Sequence, residues 1–483
     1  MHMKMKYKKI NLKSCEINGD LVSLISKEYA KKQCIFPFGV NGNKLKVAME
    51  NEKDRDLLLD LKLITRREIV PYIDSSENIF YCIEKFYGNK FLNSMKDNDD
   101  RVSVKLTELI INNAITVKAS DIHIEPFQEY CRIRFRINGS LKNFKTLQLK
   151  VYEKILRRIK ILAEIDITKK LLPCDGKFSL YKFKNNYDFR VSTIPSIHGE
   201  KVVIRILNKN FFDYSLNGIT NDKEIKTKFN NILKNNNGII FLAGPTGSGK
   251  SSTQYTFINE LNKKNKNIIT IEDPVEFKID GVNQVNVNNK SGLTFATGLR
   301  SILRQDPDVI SIGEVRDSET ADIAIKAAIT GHLVLSTIHT SNAVSTINRL
   351  QNMHIKNYLL SDAIISVISQ RLIRINCPHC KKEEIVDNEE RKAYELNDQI
   401  KLYKGIGCKH CNYTGYVGRR AIFEILEVSE TIKKLIVKCS VVGDLYKEAL
   451  KEGMVSINQK CKQMMVNGET SFEEYLNIIY SIR

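Results

Sequence analysis

Three stretches of the chain carry different hydrophobic rhythms. Over residues 1–92 short apolar strands mix with helical patterning, read at 20–33, 44–49 and 77–87, and the polar run 89–101 has the composition of a linker. From 102 to 210 a helical pattern over 104–115 gives way to alternation, clearest in Cys131-Arg132-Ile133-Arg134-Phe135-Arg136-Ile137, where every second residue is apolar. From 211 onward the runs are short and largely apolar: Gly238–Ala243, 268–271, Val309–Ile312 and Leu333–Ile338, with helical stretches between them over 293–303 and 318–330. Strands apolar on both faces and separated by helices predict a parallel sheet. The expected organisation is an N-terminal domain over 1–92, a linker over 93–101, a second N-terminal domain over 102–210 and an α/β domain over 211–483.

The first apolar strand of that last domain runs into Gly244-Pro245-Thr246-Gly247-Ser248-Gly249-Lys250-Ser251, followed by Ser252 and a helical stretch free of Pro and Gly. The run fits G-x-x-x-x-G-K-[ST] in its required strand-to-helix setting. Its glycines let successive amide N–H groups and the helix N-terminus converge on phosphate oxygens. Lys250 is placed to neutralise the β- and γ-phosphates of ATP, and Ser251 to offer its hydroxyl to Mg²⁺.

Composition narrows the setting. No apolar run approaches the ~20 residues needed to cross a bilayer, and the opening MHMKMKYKKIN has positive charge but no apolar segment behind it, so a soluble cytoplasmic protein is expected. A formal charge of +19 permits an anionic partner. Lys and Asn are however scattered along the whole chain together with Ile, and no arginine-rich tail or aromatic-studded basic stripe stands out, so no nucleic-acid partner is expected.

Seven of the eleven cysteines (15, 34, 82, 131, 174, 439 and 461) are dispersed and read as ordinary reduced, buried thiols. The other four form two C-x-x-C knuckles, Cys377-Pro378-His379-Cys380 and Cys408-Lys409-His410-Cys411. Each knuckle puts two thiolates on one side of a tight turn, and the pair completes a tetrahedral S₄ shell for structural Zn²⁺ with no open position for catalysis. His379 and His410 are expected outside that shell. The charged segment between the knuckles reads as a solvated excursion within a zinc insert over 375–415.

Ligands of open α/β sheets gather beyond the carboxyl ends of the strands, and here each strand delivers polar residues to that place: Glu272-Asp273-Pro274-Val275-Glu276, Gly313-Glu314-Val315-Arg316-Asp317 and His339-Thr340. Hydrolysis of a γ-phosphate needs a group to orient water, Mg²⁺ to spread charge and a cation for the transition state. Glu314 is the first choice for positioning or activating water and Glu272 the second, for that role or a water-mediated Mg²⁺ contact. His339 lies where a γ-phosphate sensor would sit. Asp273 and Asp317 read as a helix cap or surface charge, and His332 as structural or sensing.

These residues together resemble the traffic ATPases of the secretion superfamily, which drive type IV pilus assembly and type II secretion. Residues 269–276 resemble the family's Asp box, 299–308 through Asp317 its Walker B region, and Thr330-Gly331-His332 through His339-Thr340 its His box. In the second block Ala119-Ser120-Asp121-Ile122-His123-Ile124-Glu125-Pro126, Phe189-Arg190-Val191-Ser192-Thr193 and 199–207 are also similar. Two positions depart from the pattern: Gly313 stands where an aspartate is usual, and Cys174 where glutamine is usual. The resemblance implies a RecA-like P-loop ATPase domain with a zinc-binding insert, preceded by an α+β (PAS-like) domain and a small N-terminal α/β domain. It also implies that Arg190 and Arg205 reach the bound nucleotide when the second domain closes over the motor.

A homohexamer at the inner face of the cytoplasmic membrane is implied in the same way, with an inner-membrane platform protein and a cytoplasmic adaptor as partners. The tetracysteine insert and the extra N-terminal block point to the extension or secretion branch, since retraction motors lack both. The Lys/Asn/Ile bias, suggesting an AT-rich genome, tilts the reading toward pilus extension, with a type II secretion motor as the alternative. A RecA-like nucleic-acid motor and a zinc-ribbon nucleotide switch without turnover are more distant alternatives. Phe36-Pro37-Phe38 and Lys46-Val47-Ala48-Met49 are similar to the core of the family's N-terminal domain. Related domains bind cyclic di-GMP through a longer tandem motif whose first part is not found here, so docking on a platform or adaptor is expected of this block.

Overall fold

The computed structural model describes residues 8–12, 15, 17, 21, 24–50, 55–83, 100–183, 185–208, 213–263, 265–397 and 399–482. The linker expected over 93–101 lies outside them up to residue 99; its last two residues already belong to the helix Asp100–Thr116. The chain forms two compact units, Met1–Ile110 with Glu153–Arg158, and Ile111–Tyr152 with Ile159–Arg483.

In the first unit the strands β1 (Lys8–Lys9), β2 (Ile35–Asn41), β3 (Lys44–Met49) and β4 (Glu68–Ile73) form one sheet in the order β1-β4-β3-β2. Of the helical patterning read over 20–33 and 77–87, residues 20, 22, 23 and 84–87 lie outside the described residues; the described part holds the helices Lys27–Gln33, capped by Ser26, and Ser76–Cys82, capped by Ser75. Residues 44–49 are a strand, because Leu45 and Val47 alternate into the core with Ile35 and Phe36. The helix Arg55–Thr65 was not anticipated.

The second unit holds two larger sheets. The first is antiparallel in its pairings, in the order β7-β6-β5-β10-β9-β8, from β5 (Asp121–Pro126), β6 (Tyr130–Ile137), β7 (Ser140–Gln148), β8 (Cys174–Lys182), β9 (Asn185–Ser196) and β10 (Gly199–Asn208). The alternation seen in the sequence is its cause: Cys131, Ile133, Phe135 and Ile137 are buried while the arginines between them stand on the other face.

The second sheet follows the order β13-β12-β14-β15-β11-β16-β19. Its strands are β11 (Gly238–Ala243), β12 (Ile268–Glu272), β13 (Asn283–Asn286), β14 (Val309–Ile312), β15 (Leu333–Ile338), β16 (Ile364–Asn376) and β19 (Tyr416–Glu427). All pair in parallel except β16 with β19. Every residue of β11, β12, β14 and β15 is buried, as their largely apolar runs lead one to expect. The order fans the carboxyl ends of β12, β14, β15 and β11 along one edge.

Between the knuckles the structure corrects the expectation of a solvated excursion. Strands β17 (Lys381–Glu384) and β18 (Leu402–Gly405) pair antiparallel, and Val386, Leu396 and Leu402 pack in a core with Ile373, Met464, Met465 and Phe472. Lys381, Lys382 and Glu383 are exposed and Glu384 is half-buried, so high charge density concealed a core of few, widely spaced apolar residues.

Candidate functional site

The phosphate-type loop leaves β11 at Gly244 and enters the helix Lys250–Leu261. β16 outruns β11, placing Gln370 and Arg371 beside the turn. A Cβ on Gly244, whose φ is +146°, would lie 2.6 Å from Ser248 Oγ and 2.7 Å from the Gln370 carbonyl. One on Gly249, at φ +91°, would lie 2.7 Å from Gln370 Nε2. Both positions therefore need glycine for space as well as for conformation.

Pro245, Thr246 and Gly247 face outward, whereas Ser248 and Lys250 are buried, Ser251 is exposed and Ser252 half-buried. Lys250 Nζ donates to the carbonyls of Gly244 at 2.8 Å and Pro245 at 3.0 Å. Burial lowers its pKa to about 8, opposed by the Glu314 carboxylate and reinforced by Arg371. Ser248 Oγ is buried with no hydrogen-bond partner among the described residues. A buried lysine resting on its own loop's carbonyls and an unpartnered hydroxyl beside it fit a group rich in acceptor oxygens.

The carboxylates at the strand ends differ. Glu272 is buried and saturated: Tyr255 Oη donates to its Oε2 at 2.5 Å, while Thr270 Oγ1 at 2.6 Å and Gln284 Nε2 at 3.2 Å donate to Oε1. The Tyr255 hydroxyl also accepts from the N–H groups of Glu276 (3.1 Å) and Phe277 (3.4 Å), tying the loop helix to the segment after β12. Glu314 instead is bound by the exposed Arg316 guanidinium and lies 3.5 Å from His339 Nε2, at the open edge.

His339 is half exposed, and its pKa is lowered by desolvation and by Lys250, against the pull of Glu314. A Cβ on Gly313 would stand 3.3 Å from Glu272 Cα and the Ile271 carbonyl, which leaves little room for the usual aspartate. Asp317 caps the helix Ser318–Ile329 through the Thr320 N–H, and His332 Nδ1 lies 3.0 Å from the Ala327 carbonyl, a structural contact.

From the antiparallel sheet Arg190 on β9 reaches the segment that follows β12. Its Nη2 donates to the Val275 carbonyl at 3.3 Å and lies 3.0 Å from Glu276 Oε2. Arg205 on β10 is exposed and donates through Nε to Asp121 Oδ1 at 3.2 Å. Both arginines line a cavity of about 620 Å³. A second cavity, about 560 Å³, adjoins the loop helix at Gly249, Ser252 and Thr253 and is closed by Asn138, Gln370 and Arg419.

Sequence reading missed Tyr255, Gln370, Arg371 and Arg419. Thr253 Oγ1 donates to Gln370 Oε1 at 2.7 Å, and Arg371 donates to the carbonyls of Gln370 (3.0 Å) and Ser341 (2.7 Å), bracing the loop from below. Only Tyr255, on the loop helix, carried a local hint. The other three come from strands whose pairing with the site is set more than a hundred residues away.

The four knuckle sulfurs converge as expected. Cys377 Sγ to Cys408 Sγ, Cys380 Sγ to Cys411 Sγ and Cys408 Sγ to Cys411 Sγ are each 3.8 Å, and all four lie within 4.8 Å of one another. A tetrahedral zinc with Zn–S bonds of about 2.3 Å sets its sulfurs about 3.8 Å apart, so the cluster fits that metal. The N–H groups of Gly407, Cys408 and Gly415 donate to Cys380 or Cys411 sulfur, the hydrogen bonding a thiolate seeks. His379 and His410 are exposed, with rings stacked 4.0 Å apart.

Residues 96–477 match the family model described as type II/IV secretion system protein, and residues 3–91 match the MshEN domain. The chain belongs to the type II/IV secretion system protein family. Within that family it is 37% identical to the type IV pilus assembly ATPase PilB of Myxococcus xanthus, over 96% of this chain and 88% of that one. It is 41% identical to the type II secretion system ATPase E of Vibrio cholerae, over 83% of this chain and 80% of that one. Among solved structures, the pilus retraction motor PilT with bound ADP aligns at a TM-score of 0.54 and 26% identity, covering 78% of this chain and 95% of PilT. The Legionella pneumophila ATPase DotB aligns at 0.59 and 21%, covering 78% and 95%, a likeness of fold. The chain is thus a secretion-family ATPase whose motor fold is RecA-like, with a four-cysteine insert and an N-terminal MshEN domain. No helix among the described residues is long and apolar enough to cross a membrane.

Proposed function

We propose that this ATPase is the extension motor of a type IV pilus assembly machine, a homohexamer at the inner face of the cytoplasmic membrane that converts ATP hydrolysis into pilin polymerisation. The observation that carries the reading is the joint between the two sheets of the second unit: Arg190 of the antiparallel sheet grips the segment after β12, which Tyr255 in turn ties to the phosphate-loop helix and to Glu272. A change at the phosphates is thereby felt by the neighbouring sheet.

In this reading the residues from Gly244 to Ser252 hold the phosphates, and Lys250 Nζ exchanges its two carbonyl partners for phosphate oxygens. Ser251 contributes its hydroxyl to Mg²⁺, which spreads the phosphate charge. Glu314 orients the attacking water, and His339 beside it senses the γ-phosphate. Glu272, already saturated, holds the frame. Arg190 and Arg205 complement transition-state charge, a role worth ~10³–10⁵ in rate in comparable sites. The cavity beside Gly249 and Thr253 takes the nucleoside. The zinc module is structural, and the N-terminal unit docks on a platform or adaptor protein rather than sensing cyclic di-GMP. Calorimetry detecting tight cyclic di-GMP binding to the full chain would overturn that last assignment.

The decisive test is phosphate release by the full chain with Mg²⁺ and its platform protein. We expect turnover that Lys250→Ala abolishes and that DNA or RNA does not stimulate. Polynucleotide-stimulated turnover with a steep salt dependence would instead indicate a nucleic-acid motor, and nucleotide binding without turnover a switch. The 41% identity to a type II secretion ATPase supports the second reading, a secretion motor. Deleting the gene separates the two: loss of surface fibres supports the pilus role, and fibres retained with secretion lost supports the other.

A further inference from the structure

Across three adjacent strands of the antiparallel sheet the register sets three cations side by side. Lys177 on β8 stands opposite Arg190 on β9, and Arg190 opposite Arg205 on β10. Residues directly opposed in antiparallel strands project to the same face with Cβ atoms about 4.5–5.5 Å apart, and like charges so placed destabilise the sheet.

The acids present do not balance the row. Asp121 is opposite Arg205 and divides its charge between Arg205 at 3.2 Å and Arg136 at 3.5 Å. Glu276 pairs with Arg190. Lys177 is exposed and has no ion pair among the described residues. All three cations line the cavity of about 620 Å³, whose lining has one carboxylate, Asp175.

The row is also fixed in place. A Cβ on Gly176 would fall 2.2 Å from the Ala163 carbonyl and 2.6 Å from Ile165 Cγ1, so the backbone next to Lys177 is pressed against its neighbours. An unbalanced row of cations carried on a fixed backbone and facing a cavity suits an anion of matching charge.

We infer that Lys177 is the third cation of a phosphate-binding row with Arg190 and Arg205, contacting the triphosphate chain of the nucleotide. This rests on the reading of the site as an ATP site and adds a residue to it. On this fixed backbone the Lys177 side chain sets an ammonium beside two planar guanidiniums, on the cavity face it shares with Asp175, two residues back.

The test compares Lys177→Met and Lys177→Arg in the full chain with Mg-ATP. We expect Lys177→Met to raise KM for ATP about tenfold, the scale of one lost charge-assisted contact, and Lys177→Arg to restore it to within about twofold. Without nucleotide the Tm of Lys177→Met should be unchanged or higher, since a like charge leaves the row, while the rise in Tm on adding ATP should shrink. Wild-type KM and kcat in Lys177→Met would overturn the inference and leave the ATP site intact. A fall in its nucleotide-free Tm with an unchanged ATP-induced rise would make Lys177 structural and overturn it too. A wild-type chain that releases no phosphate would remove the ATP reading and this assignment together.

Discussion

The strand-end site and the cysteine cluster both gather ionisable groups from separate elements, but one is closed and the other open. At the knuckles each sulfur has a sulfur neighbour at 3.8 Å, and backbone N–H groups cover the outside of two of them, so one point remains at the centre. At the strand ends the same saturation occurs once, at Glu272, while Glu314 and His339 remain at the open edge. Saturated groups hold geometry and accessible ones can change partner, and on that difference rests the proposed division between a structural Glu272 and a chemical Glu314 within a single sheet.

The strongest way to break this contrast is to open the closed site. Structural zinc contributes an apparent ~10–16 kcal/mol in small zinc domains, so Cys377→Ser, or a chelator, should unfold the insert and expose the core around Val386 and Leu396. Metal analysis of the reduced protein should find one zinc per chain, lost in the variant. The motor sheet has its own core and should still bind nucleotide. A metal-free wild type with an intact insert would remove the zinc assignment.

The next largest effect should come from the open carboxylate. Glu314→Gln keeps the shape and removes the charge proposed to orient water, and we expect kcat to fall roughly 10²–10³-fold with ATP still bound. Wild-type turnover in this variant would take Glu314 out of its role and return Glu272 to consideration.

The two sites were unequally legible in the sequence. The phosphate loop and each knuckle declare themselves because their key residues lie within a few positions of one another, and the largely apolar runs named β11, β12, β14 and β15 because burial on both faces favours that composition. The frame around them was not legible. Gln370 and Arg371 brace the loop only because β16 outruns β11, and Arg190 meets Glu276 only after two sheets pack, neither of which has a local signature. Glu272 and Glu314 look alike in the sequence, each ending an apolar strand; hydrogen-bond partners brought from elsewhere make them different. Between the knuckles, charge density pointed to solvent where a few apolar residues in fact close a core.

A smaller effect should follow from loosening the frame. Tyr255→Phe keeps the buried ring and removes the hydroxyl that joins Glu272 to the Glu276 and Phe277 amides. Leaving those groups unmatched should cost about 1–3 kcal/mol of stability and lower kcat about tenfold with KM little changed. Equal loss in stability with unaltered kcat would confine Tyr255 to packing.

The smallest and most specific effect concerns Lys250. Its pKa of about 8 lies below the ordinary ~10.4 of a solvated lysine because the ammonium is desolvated. Between those two values the ligand-free folded chain holds fewer protons than the unfolded one, so this group's contribution to stability rises with pH across that window and is least favourable below about 8. Bound phosphate reverses the sign by favouring the charged form. Nucleotide binding at pH 9 should therefore take up a proton, and affinity should weaken as pH climbs above 8. Calorimetry at pH 9 in two buffers of different ionisation enthalpy reads that uptake directly, and the phosphate's own second pKa of about 6 is too low to supply it. The same measurement at pH 7, where Lys250 is already charged, should show no uptake by this group. Equal heats in both buffers at pH 9 would mean that Lys250 stays an ammonium in the ligand-free loop, its two carbonyl partners offsetting the loss of water.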